Sequence, residues 1–129
     1  MAAVAAGGSV GAGVRWAVVA AGPHTTFPWM VLAVNVAGSF VLGMVLAEEW
    51  THPRAHLALH DVLGIGFCGG LTTFSTFAVE IVDLGRAHHA GLAVVYGTVS
   101  VASALAAIVL GAALLRGVRA VVLPLEEEP

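Results

Sequence analysis

The stretch Pro28-Trp29-Met30-Val31-Leu32-Ala33-Val34-Asn35-Val36-Ala37-Gly38-Ser39-Phe40-Val41-Leu42-Gly43-Met44-Val45-Leu46-Ala47 carries no charged side chain. A helix of that length rises roughly 30 Å, the thickness of a bilayer's hydrocarbon core. Pro28 suits a helix start, because the N–H it lacks would be unpaired there anyway. Glu48, Glu49 and Trp50 follow and mark an interface. Three further stretches repeat the pattern. Residues 2–21 carry Arg15 as their single charge and are closed by Gly22-Pro23, residues 62–84 follow a candidate cap at Asp61, and residues 87–115 carry no charge. The last is longer than one crossing requires, so it tilts or protrudes. Thr51 to His60 reads as a loop, and residues 116–129 as a solvated tail ending in Glu126-Glu127-Glu128-Pro129. The expected fold is an all-α membrane protein, a single domain over residues 1–129 with four transmembrane helices.

Composition agrees. Of 129 residues, 59% are hydrophobic and 10% charged, against about 25% charged in a soluble domain; mean hydropathy is +0.96. Five arginines, no lysine and a net charge of -3 leave no cationic footprint for nucleic acid. Cys68 is the single cysteine, so no intrachain disulfide forms, and no zinc spacing of Cys and His occurs. A cleaved leader is the rival reading of residues 2–21. It lacks a basic leading region, and Arg15 interrupts its apolar run. Four crossings place Arg54, Arg116 and Arg119 on one side, with Arg15 and Arg86 on the other. Orientation follows an excess of Lys and Arg on the cytoplasmic side. Three against two is almost none, so the chain is expected to insert both ways and to pair antiparallel, unless a partner fixes its topology.

Polar residues inside the spans are the functional candidates. Asn35 and Ser39, four apart, share a helix face, as do Tyr96 and Ser100, with Ser103 close by. The competing use of each serine is a bond to the carbonyl one turn back, and of Asn35 a link between two helices. Gly7 with Gly11, Gly66 with Gly70, and Ser39 with Gly43 have the spacing that lets helices approach closely. The third span contains Gly66-Phe67-Cys68-Gly69-Gly70-Leu71-Thr72-Thr73-Phe74-Ser75-Thr76-Phe77. Two glycines followed by four hydroxyl residues are poor material for a continuous helix. A break here frees carbonyls that protein or an ion must satisfy. Phe74 and Phe77 point in neighbouring directions, and the positive edges of their rings suit an anion.

This string closely resembles the signature of the Fluc/CrcB family of fluoride channels. The resemblance extends to Gly7-Gly8-Ser9-Val10-Gly11-Ala12-Gly13-Val14-Arg15-Trp16, and to Phe27-Pro28-Trp29 through Asn35-Val36-Ala37-Gly38-Ser39-Phe40. It covers four helices in order, nearly the whole chain. It implies an antiparallel, dual-topology homodimer in the cell (inner) membrane, with two fluoride pores and a structural, untransported sodium at its centre. By position, the sodium ligands are the backbone carbonyls of Gly69 and Thr72. Phe74 and Phe77 are the pore phenylalanines, Asn35 the pore amide, Tyr96 and Ser100 the fourth-helix polar track, and Arg15 a vestibule residue. The track should continue at position 104, where this chain has Ala104. Glu80 matches a family acid of unassigned role. The implied activity is passive export of fluoride trapped inside the cell.

Two alternatives stay open: a non-conducting subunit paired with a paralogue, and a small proton-coupled antiporter whose sole candidate acid is Glu80. No catalytic triad or nucleotide motif suggests an enzyme. His24, His52, His56, His60, His88 and His89 fall in loops or at helix ends and read as interfacial side chains.

Overall fold

The computed structural model describes residues 1–48 and 56–122, without the side chains of residues 56–58. The expected interface at Glu49 and Trp50, most of the loop before position 56, Arg54, and the acidic end of the tail lie outside the described residues. Helix α1 spans Ala2–Ala21 and α2 spans Trp29–Ala47. The third crossing is composite: α3 is a π-wound segment, His56–Cys68, closed by one α-helical turn, Gly69–Leu71. Thr72 and Thr73 are extended, and α4, Phe74–Arg86, completes the crossing. Helix α5 runs over Ala90–Val122. Four stretches are long and apolar enough to cross a bilayer, and the chain is a multi-pass membrane protein.

Three boundaries differ from the sequence expectation. The third crossing is already helical at His56 rather than at Val62. Asp61 lies within α3 and does not cap it; its Oδ1 is 3.0 Å from His60 Nδ1. Good helix formers at Leu57 and Leu59 carry the winding upstream of the polar residues that looked like a loop. At the other end α5 starts at Ala90, not Ala87, and continues past Leu115 to Val122. Arg119 Nη1 there reaches Glu48 Oε1 at 3.1 Å, tying the end of α5 to that of α2.

The turn between α4 and α5 explains the later start. Ala87 N–H donates to Asp83 O, His88 N–H to Gly85 O at 3.2 Å, and His89 N–H to Leu84 O at 2.9 Å. This is a Schellman end, in which a left-handed residue lets the last carbonyls be satisfied. The left-handed position is His88, with φ 62°, where a glycine would carry no steric cost.

Glycines decide which helices pair. A Cβ on Gly7 would strike Val62 O, one on Gly11 would strike Phe67 O, and one on Gly70 would strike Gly8 O. The two GxxxG pairs of the sequence therefore face one another, and they let the parallel helices α1 and α3 touch backbone to backbone. Gly43 and Gly111 do the same for α2 and α5, against Ile108 O and Phe40 O. In lipid, where apolar side chains gain little by leaving the solvent, such contact is a main source of helix association. A smaller core of Val31, Leu32, Phe77, Leu84, Ala93 and Tyr96 joins α2, α4 and α5.

Two substitutions separate these effects. Gly11→Val should lower the thermal midpoint in detergent, because a backbone carbonyl cannot step aside and overpacking costs about 1–3 kcal/mol. Gly117→Ala, with nothing within 4 Å of the added Cβ, should not. His88→Gly should raise the midpoint, since relieving a left-handed non-glycine residue is worth about 1 kcal/mol; a lowered midpoint would contradict the assigned turn.

Candidate functional site

Thr72 (φ -76°, ψ 152°) and Thr73 (φ -146°, ψ 124°) take two residues out of a helix in the middle of a membrane span. Every hydrogen bond lost there must be replaced inside the protein. Asn35 of α2 replaces two of them. Its Oδ1 accepts from Thr73 N–H at 2.7 Å, and its Nδ2 donates to Thr73 O at 3.1 Å. Thr73 also caps α4, its Oγ1 accepting from Thr76 N–H at 3.1 Å. Thr72 folds back on the preceding turn, its N–H donating to Cys68 O at 2.9 Å and its Oγ1 at 2.8 Å.

These diversions determine which carbonyls are released. In a continuous helix Gly69 O would accept from Thr73 N–H and Thr72 O from Thr76 N–H. Both donors are taken, the first by Asn35 Oδ1 and the second by Thr73 Oγ1. Gly69 and Thr72 are the two residues singled out from the sequence as carbonyl ligands. Hard carbonyl oxygens suit an alkali cation, and no group of three His, Cys, Asp or Glu side chains among the described residues competes for a metal.

Arg15 is held at the same link. Its Nη1 donates to Gly70 O at 2.9 Å and to Thr72 O at 3.1 Å. Gly7, Gly11 and Arg15 follow one another at four-residue spacing on one face of α1. The close approach made by the glycines therefore delivers the guanidinium to the Gly70 and Thr72 carbonyls. A charge that is costly in lipid is spread over two backbone dipoles.

On the other side of the link lies a cavity of about 270 Å³ whose lining includes Asn35, Thr72, Thr73, Phe74, Phe77 and Ser100. Phe77 is buried, whereas Phe74 is 79% exposed at the cavity's edge; their ring centroids are 5.7 Å apart. Tyr96, 0% exposed, stands behind Phe77 at 5.5 Å and meets Phe27 edge-on at 5.4 Å. These rings separate the first cavity from a second of about 170 Å³, lined by residues including Phe27, His24 and Glu80. Ser100 is 4% exposed. Among the described residues the buried hydroxyls of Tyr96 and Ser100 have no hydrogen-bond partner, although the two lie close enough to interact. Ser103 takes the ordinary alternative and donates to Ser100 O at 3.2 Å; Ser9 likewise donates to Ala5 O.

The first cavity thus combines the Ser100 hydroxyl, the rings of Phe74 and Phe77 and the N-terminus of α4, with no carboxylate in its lining. A helix N-terminus carries partial positive charge, so the surroundings favour an anion. Sequence reasoning missed Thr73, which is the pivot of the hydrogen-bond exchange. The one signal for it was its place beside Thr72, since its partner Asn35 is 38 residues away. Thr73→Ala should lower the thermal midpoint, because losing a helix cap costs about 1 kcal/mol. Thr73→Ser should retain it. Equal midpoints for the two variants would contradict the capping role.

Comparison with known proteins identifies the family. Residues 2–112 match the family model described as CrcB-like protein, Camphor Resistance (CrcB). A protein of Mycolicibacterium paratuberculosis named Fluoride-specific ion channel FluC 1 is 40% identical over 121 residues, 92% of each chain. One of Novosphingobium aromaticivorans, named Fluoride-specific ion channel FluC, is 39% identical over 89% of this chain and 94% of its own. A Rhodococcus jostii protein named Fluoride-specific ion channel FluC 2 is 44% identical over 84% of this chain and 91% of its own. A family model covering most of the chain and relatives of this similarity lead to one conclusion: the chain belongs to the CrcB family, a family of channels rather than enzymes.

Proposed function

We propose that this chain forms a fluoride-selective channel. The observation that carries the reading is the pair of buried, unpartnered hydroxyls of Tyr96 and Ser100 beside Phe77. Leaving a buried donor unsatisfied costs about 1–3 kcal/mol, so two of them in an apolar interior call for a small acceptor. Fluoride is such an acceptor: it is compact, strongly hydrated and must have its water replaced by donors. The free N–H of Asn35, the two hydroxyls and the ring edges of Phe74 and Phe77 are those donors. The names of the relatives point to the same ion. Flow is passive, and a negative cell interior drives an anion outward by about 2.3 kcal/mol per 100 mV. This places the chain in the cell membrane as an exporter.

The working unit is two antiparallel copies. Phe74 lines the cavity yet is largely exposed in one chain, and a second copy gives that open side a wall. Gly69 O and Thr72 O of each copy are suited to hold a central sodium, since both have lost their helical donors and a carbonyl keeps a second lone pair. Such an ion supplies a fixed positive charge and joins the two links. The antiporter alternative has only Glu80 as its acid, and Glu80 lies outside the first cavity.

Expression in cells stripped of their own fluoride exporter should restore growth in fluoride, and Phe77→Ile should abolish the rescue with membrane expression unchanged. Failure of the wild-type chain to rescue, alone and alongside a co-expressed paralogue, would overturn the reading. Replacing sodium by N-methylglucamine should lower the thermal midpoint of the purified protein; an unchanged midpoint would remove the ion.

A further inference from the structure

Ser39 lines the first cavity, is 8% exposed, and its hydroxyl makes no hydrogen bond among the described residues. It lies one turn beyond Asn35 on α2, facing the same space. On α5 the corresponding step runs from Ser100 to Ala104, and both line that cavity. The register of the two helices makes the comparison definite. Gly43 is seated against Ile108 O, and α2 and α5 run parallel. Gly111 is seated in turn against Phe40 O, so Gly43 lies level with Gly111; four residues back on each helix bring Ser39 level with Ala107, and four more bring Asn35 level with Ser103. Along the cavity Ser100 comes first, Ala104 stands about level with Asn35, and Ser39 lies one turn further, so beyond Ser100 the hydroxyl is missing from α5 and present on α2.

We propose that Ser39 is an ion-binding residue of the permeation route, its Oγ–H supplying from α2 the donor that Ala104 cannot supply from α5. The inference rests on the channel reading and adds a residue to it. The anion then passes from donor to donor along the cavity: Ser100, then the Asn35 amide, then Ser39. Leu42 and Val101 line the same cavity and offer no hydrogen bond, which leaves the serine hydroxyl as the replacement for lost water at that level.

The test is fluoride efflux from liposomes containing the purified full chain. Ser39→Ala should slow efflux about tenfold or more, the value of one hydrogen bond to a charged partner. Ser39→Cys, close in size and a weak donor, should be slowed similarly, with thermal midpoints unchanged for both. The decisive variant is Ser39→Ala combined with Ala104→Ser, which should recover efflux by returning the hydroxyl to the opposite wall. Packing alone cannot produce that recovery. Wild-type efflux in Ser39→Ala, or no recovery in the double variant, would overturn the role of Ser39. If Ser100→Ala were slowed in the same experiment, the channel reading would survive that result. A wild-type chain that passes no fluoride would overturn both.

Discussion

The two hydrogen bonds between the Asn35 amide and the backbone of Thr73 hold the third crossing open at its interruption. A membrane span tolerates extended residues only where protein meets their backbone groups. Asn is suited to this because its side chain is itself an amide, with donor and acceptor placed as a neighbouring strand would place them. Once Thr73 N–H is committed to Asn35, Gly69 O is released. Once Thr73 Oγ1 is committed to Thr76 N–H, Thr72 O is released as well. The same exchange starts a new helix, so Phe74 and Phe77 project from its first turn into the cavity rather than along the line of α3.

Backbone packing supports that arrangement from the opposite side. The stripe of Gly7 and Gly11 brings α1 against α3, and Arg15 is the next residue on the stripe. Its guanidinium then neutralises part of the dipole of the Gly70 and Thr72 carbonyls at 2.9 and 3.1 Å. The link is thus held between a neutral amide on α2 and a cation on α1. The cavity receives the neutral side, together with hydroxyls and ring edges. This division keeps full charge out of the lining while leaving the surroundings favourable to an anion.

Much of this was legible in the sequence, for physical reasons that differ by element. The four spans follow from hydropathy, and the glycine spacings from the need for close approach in lipid. The string from Gly69 to Thr76 signals an interruption because neither its glycines nor its hydroxyl residues favour helix. Non-local matters were hidden. Arg15 was expected beside a vestibule, and its contact with Gly70 O and Thr72 O depends on the pairing of α1 with α3, which spacing permits but does not specify. Asp61 looked like a cap because local chemistry favours one, yet the helix begins upstream. His88 carries no glycine signature, so the Schellman turn that delays α5 left no mark. Ser39 and Ser100 read alike as serines in helices; only the absence of partners around both and the bond made by Ser103 distinguish their uses.

The space beside this link is proposed to conduct fluoride in preference to other anions. The measurement that tests it most directly is efflux of fluoride against chloride from liposomes holding only the purified chain in sodium buffer. Rapid fluoride efflux with chloride retained is the expected result. Equal release of both anions, or release of neither from folded protein, would contradict it.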